Sequence, residues 1–163
     1  MPQLVRGGKH VFGWSRVGNA GRIIVPPEAL QEYSLKEPEK LILVPGSQTS
    51  GGFGLGSRES VRMSPLGAVL EAHPGLGESE VPEGGVVEYK GKPYCWVELR
   101  GGGITVPTET LEAYGIRIGD SLLVIRGSGL AIGFAVRGPI VAEARRHCGL
   151  AVFEPETRKA VTA

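Results

Sequence analysis

Four basic residues, Arg6, Lys9, Arg16 and Arg22, fall within the first 27 positions without an acid among them; the first carboxylate is Glu28. Cationic side chains along an acid-free, extended stretch suit contact with phosphates, and Arg100 is a candidate to join them from later in the chain. The competing assignment is a solvated, mildly basic strand face. Four or five such contacts support weak, salt-sensitive docking on duplex DNA. They do not supply sequence readout, which needs groups aimed at base edges. The low aromatic content disfavours stacking on single strands.

A second candidate lies in two Gly-Ser turns, Gly46-Ser47 and Gly127-Ser128, each inside a glycine-rich loop. Such loops can form backbone nests for an anion or small ligand, although a hairpin turn explains the glycines equally well. Neither ends in Gly-Lys-Ser/Thr, so nucleotide hydrolysis is not expected. Ser47 and Ser128 could face each other and share one pocket. His73 and His147, the latter beside Cys148, are too widely spaced for a strong zinc signal and suit helix C-termini, where they complement the macrodipole. Glu28 and Glu109 read as first-turn helix carboxylates. No set of nucleophile, base and orienting group can be assembled, so neither catalytic residues nor a metal or cofactor is expected.

The formal net charge of +1 leaves no field over the whole molecule, so any anion-binding surface must be local. The 26 glycines and 12 prolines are spread between apolar runs, which predicts many turns and many short strands. The N-terminus lacks the apolar core of a secretory signal, and no run is long enough to span a bilayer. Cys95 and Cys148 stand in unlike settings and read as reduced thiols. A soluble, cytoplasmic protein without a membrane partner is the expectation.

The elements that must position these residues come in two copies. Val25, Pro26, Glu28, Leu30, Tyr33, Leu41, Gly46, Ser47, Gly52 and Phe53 recur 81 positions later as Val106, Pro107, Glu109, Leu111, Tyr114, Leu122, Gly127, Ser128, Gly133 and Phe134. With small shifts, Phe12 and Trp14 match Tyr94 and Trp96, and His73 matches His147. Each copy predicts a strand ending at Val-Pro, a two-turn helix, a hairpin and a further helical segment, over 58–73 and 139–147. Pro27 opens the first short helix, Thr108 is a candidate N-cap for the second, and Gly115 is its stop. Pro65 is a possible break in the 58–73 helix. The repeats divide the chain at 1–81 and 82–163.

Arg16-Val17-Gly18-Asn19-Ala20-Gly21-Arg22-Ile23-Ile24-Val25-Pro26, followed by a short helix and an apolar hairpin, resembles the AbrB/SpoVT family of swapped-hairpin transcription factors. Ile104-Thr105-Val106-Pro107 and Gly119-Asp120-Ser121-Leu122 resemble it in the second copy. The resemblance covers about 45 residues per copy and excludes the C-terminal segments. It implies a mainly β fold with short helices, in which a swapped-hairpin barrel forms as an intramolecular pseudo-dimer of the two repeats, as a monomer or in higher assemblies. It also implies DNA-binding regulation through Arg16 and Arg22. The second copy departs from this, because Gly103 stands where the first has Arg22 and the later arginine positions are Leu30, Gln31, Leu111 and Glu112. The alternative is a module on the same scaffold that has lost DNA binding and holds a small ligand or a protein partner.

Overall fold

The computed structural model describes residues 10–78, 81–127 and 129–155. In the first half the apolar runs Val11–Arg16 and Arg22–Ile24 form β1 and β2. Pro26 and Pro27 end the second strand, since proline has no N–H for a ladder, and Pro27 opens α1, Pro27–Glu32. A hairpin follows, β3 (Glu39–Pro45) with β4 (Phe53–Ser57). Three short helices complete the half: α2 (Arg58–Arg62), capped by the Ser57 hydroxyl, α3 (Gly67–Ala72) and α4 (Pro74–Glu78). The chain does break at Pro65, between α2 and α3.

The second half repeats the plan with β5 (Val87–Tyr89) added in front: β6 (Lys92–Leu99), β7 (Gly103–Thr105), α5 (Thr108–Ala113), the hairpin of β8 (Ser121–Arg126) and β9 (Ile132–Ala135), α6 (Pro139–Ala144) and β10 (Val152–Phe153). Thr108 is not the cap expected of it. It is the first helical residue, Pro107 occupies the cap position, and no side-chain cap bond forms. Gly115 ends the helix as expected, with φ +77° and its N–H on the Glu112 carbonyl at 3.0 Å.

The fold is mainly β, 35% strand against 25% helix, and its main sheet is mixed and open. Among the described residues eight strands run in the order β10-β1-β8-β9-β4-β3-β6-β5, with β2 and β7 forming a separate ribbon. Strands of the two halves pair with each other: β1 with β8 of the other hairpin, β6 with β3, and β4 with β9 between them. Residues 81 positions apart face each other where the halves meet, Phe53 opposite Phe134 and Ile23 opposite Ile104. The Val25 N–H donates to the Gly102 carbonyl at 2.9 Å, and the Val106 N–H to Gly21 at 3.0 Å, so the same bond is made twice with the halves interchanged. Trp14 lies opposite Leu123 and Trp96 opposite Ile42, which matches the alignment of the two tryptophans.

The expected closed barrel is not what these strands make. β10 and β5 extend the two outer edges, and β2 and β7 bond to each other rather than bridging those edges.

One core takes residues from both halves, including Ile23, Leu43, Phe53, Val97, Ile104, Leu111 and Phe134. Phe53 and Phe134 stack with centroids 4.8 Å apart, and Tyr114 meets the Phe53 ring edge-on at 5.7 Å. Such pairs add roughly 0.5–1.5 kcal/mol to the burial of their apolar surface. The other face of the sheet carries two smaller clusters. One joins Ile42 and Trp96 to Val61 of α2 and Val69 of α3; the other joins Leu123 and Ile125 to Val141 and Ala144 of α6. Between them the β4–β9 contact presents only Gly54 opposite Gly133. No described helix is long and apolar enough to cross a membrane.

Candidate functional site

The bare strip between the two outer clusters is the floor of a cavity of about 350 Å³. Neither Gly54 nor Gly133 has a positive φ, so the backbone does not demand glycine at either place. A Cβ at Gly54 would stand 3.1 Å from Val44 and 3.2 Å from Ala131, and one at Gly133 would stand 2.9 Å from Ile125. Neighbouring side chains therefore close directly on both glycines, and it is this close approach that excludes a larger residue. Gly46, Ser47 and Ser50 of the first hairpin turn and Gly127 and Leu130 of the second line the same space, walled by Val44, Leu66, Ile125 and Ala131. Ser128 lies outside the described residues.

Gly46 and Ser47 of one Gly-Ser turn and Gly127 of the other line this one cavity, but its chemistry differs from an anion nest. In the first turn the Gly46 N–H bonds to the Gly52 carbonyl, the Gly51 N–H to the Ser47 carbonyl and the Ser50 N–H to the Ser47 hydroxyl. These donors point into the turn itself. The cavity lining is mostly apolar, with Ser47 and Ser50 as its few polar side chains.

The candidate phosphate contacts divide among several places. Arg6 and Lys9 lie outside the described residues. Arg22 and Arg100 come together beside the β2–β7 ribbon, although Arg22 is engaged: its guanidinium donates to the carbonyls of Arg100, at 2.6 Å, and Gly101, at 3.1 Å. Glu37 grips the same loop from the other side, its two carboxylate oxygens accepting the Gly101 and Gly102 N–H groups at 2.9 and 2.6 Å. Arg100 pairs with Glu98, and Glu83 and Glu98 share the cleft with both arginines. Arg16 is in another cleft, 3.2 Å from Glu154. A continuous basic face joining Arg16, Arg22 and Arg100 free of acids does not form among the described residues. Glu37 carried no signal in the sequence, since it lies 64 positions from the glycine it holds.

The remaining recurring residues sit at element ends. His73 follows α3 with Nε2 3.0 Å from the Glu88 carbonyl oxygen, and the His147 ring reaches Glu143 at 3.5 Å. Glu28 and Glu109 occupy first turns of α1 and α5. Cys95 is buried and Cys148 exposed, both as free thiols; burial pushes the Cys95 thiol up to about 12. Burial likewise raises Tyr114, whose hydroxyl donates to the carbonyls of Leu43 and Pro93.

Comparison with protein-family models, curated proteins and solved structures finds no match to this chain.

Proposed function

We propose that this chain is a non-enzymatic binding module on an AbrB-like, swapped-hairpin scaffold, with repeats 1–81 and 82–163 acting as the two halves of an intramolecular pseudo-dimer, and that it takes a small neutral ligand between its hairpins. Pairing of strands between the halves and the doubled Val-to-Gly hydrogen bonds support the scaffold reading. Supplying both halves in one chain makes assembly independent of concentration, and a single half of this size buries too little surface to stand alone. The observation that carries the ligand reading is the cavity of about 350 Å³ lined by both hairpin turns. An apolar body with one or two hydrogen-bonding groups fits such walls, with Ser47 or Ser50 as partner.

Amide NMR with phenol and 1-naphthol as probes tests it. Shifts should concentrate at Gly54, Gly133 and the two turns, and Ala131→Leu, which extends a side chain into the cavity, should abolish them. Shifts scattered over the surface, or unchanged in that variant, would remove the reading.

Duplex DNA is the second reading, favoured by the meeting of Arg22 and Arg100 beside the β2–β7 ribbon. If these residues dock phosphates together with Arg6, Lys9 and Arg16, log affinity against log salt should fall with a slope of roughly −3 to −4, less steep by about one unit in Arg22→Ala. The acids beside Arg100 and Arg16 favour the opposite outcome, no retardation of mixed duplex DNA at low salt.

A further inference from the structure

The two halves differ most around their tryptophans. Over Trp96 of the second half lies Lys40 of the first, its ammonium 5.6 Å from the ring centroid, and Lys40 faces Glu98 across the β3–β6 ladder. The indole N–H of Trp96 donates to the Val81 carbonyl, which seals the side chain at 8% exposure. The turn before Lys40 and its counterpart in the second half are built the same way: the Glu39 carboxylate accepts the Lys36 N–H at 3.0 Å, and the Asp120 carboxylate accepts the Arg117 N–H at 2.9 Å, with each residue 81 positions from its counterpart. The residue equivalent to Lys40 is then Ser121, and it faces Arg16, not a glutamate.

Replacing lysine by serine leaves Trp14 bordering an open cleft of about 820 Å³, and replacing glutamate by arginine reverses the charge opposite it. Arg145 lines the same cleft and has no ion-pair partner among the described residues. Both carboxylates of the cleft are committed, Asp120 to the Arg117 N–H and Glu154 to Arg16 at 3.2 Å. The groups left over are donors: the Arg145 guanidinium, the Ser121 hydroxyl and the Trp14 indole N–H.

We infer that the Trp14 cleft is a binding site for a small organic anion carrying a planar ring, the ring on Trp14 and the anionic group on Arg145. At Trp96 the equivalent place is filled by Lys40, which faces Glu98; here Arg145 selects the opposite charge. Aromatic and guanidinium groups at one cleft provide stacking and bidentate anion recognition together. This site stands apart from the hairpin cavity and does not depend on it.

The test is quenching of tryptophan fluorescence in the full chain, with adenosine monophosphate and indole-3-carboxylate as ring-bearing anions, and with adenosine and inorganic phosphate as ring and anion alone. Either ring-bearing anion should quench saturably at submillimolar concentration, and the two arms tell a phosphate from a carboxylate. The separate ring and anion should be at least about ten-fold weaker. Arg145→Ala should weaken binding about ten-fold or more, and Ser121→Lys, which copies the placing of Lys40 over Trp96, should block it. Trp14→Phe should remove the quenching. Absence of saturable quenching by both ring-bearing anions up to several millimolar, or quenching that survives Ser121→Lys and Arg145→Ala, would overturn the assignment.

Discussion

Trp14 and Trp96 hold matching places on β1 and β6, each opposite a hairpin of the other half, yet one borders an open cleft while the other is sealed. The segment following the first half's helices lays Val81, Glu83 and Gly84 along β6: Gly84 donates its N–H to the Trp96 carbonyl at 2.8 Å, and Glu83 accepts from the Glu98 N–H at 2.8 Å. Among the described residues, the segment following α6 instead meets β1 through Ala151 and the strand β10. Duplication has therefore kept the main-chain pairing on which both halves depend. The outer layer, which only one half needs in any given form, has diverged.

If that division is right, substitutions at the shared centre should be costly and nearly equal in the two halves. Phe53→Ala and Phe134→Ala, which open a void in the same stack, should each lower stability by about 3–5 kcal/mol in urea unfolding. A large inequality would mean that the centre is not shared evenly. Next come the paired glycines at φ +79° and +78°, Gly21 and Gly102. Alanine at either carries the left-handed penalty of about 1–2 kcal/mol. At Gly21 its Cβ would also press into the Val106 carbonyl, whereas at Gly102 it meets open space, so Gly21→Ala should be clearly the more destabilising of the two.

The outer layer should behave asymmetrically. Trp96→Phe leaves the Val81 carbonyl without its donor and should cost about 1–2 kcal/mol, while Trp14→Phe should stay within about 0.5 kcal/mol. Equal losses would contradict the comparison. Smallest is the effect at the thiols. Cys148 should react with a thiol reagent in the native protein and Cys95 only after unfolding. Because burial raises Cys95 from 9.0 to about 12, the neutral thiol's contribution is complete below pH 9 and is lost as pH rises through about 12. Raised Tyr114 acts in the same direction. Cys95→Ala should accordingly lessen the fall in urea midpoint over that range.

Much of the shared centre was legible because the duplication left it in register. The constant offset predicted that Phe53 and Phe134, and Val25 and Val106, occupy equivalent places, and Pro26 and Pro107 marked where β2 and β7 stop. The open sheet was not legible, since β5 and β10 lie outside the repeat and are set by tertiary pairing with β6 and β1. Among site residues, the repeat made Ser47 and Gly127 candidates for one place, but the inward bonding of the Ser50 N–H was not legible, and the apolar walls come from residues such as Leu66 and Ala131 that no motif marks. The exchange of Lys40 for Ser121 was visible in the sequence. Its meaning depended on knowing that both face a tryptophan strand.

Every cleft described draws on both halves: Ser47 with Gly127, Arg22 with Arg100, Trp14 with Ser121. The central claim is thus that the halves fold as one unit through strands paired between them. Trp14→Phe and Trp96→Phe each leave a single tryptophan reporter, one in each half. In urea titrations of both variants, fluorescence and far-ultraviolet circular dichroism should trace one coincident transition. A fluorescence midpoint separated from the dichroism midpoint in either variant would show a half unfolding by itself and would contradict the account.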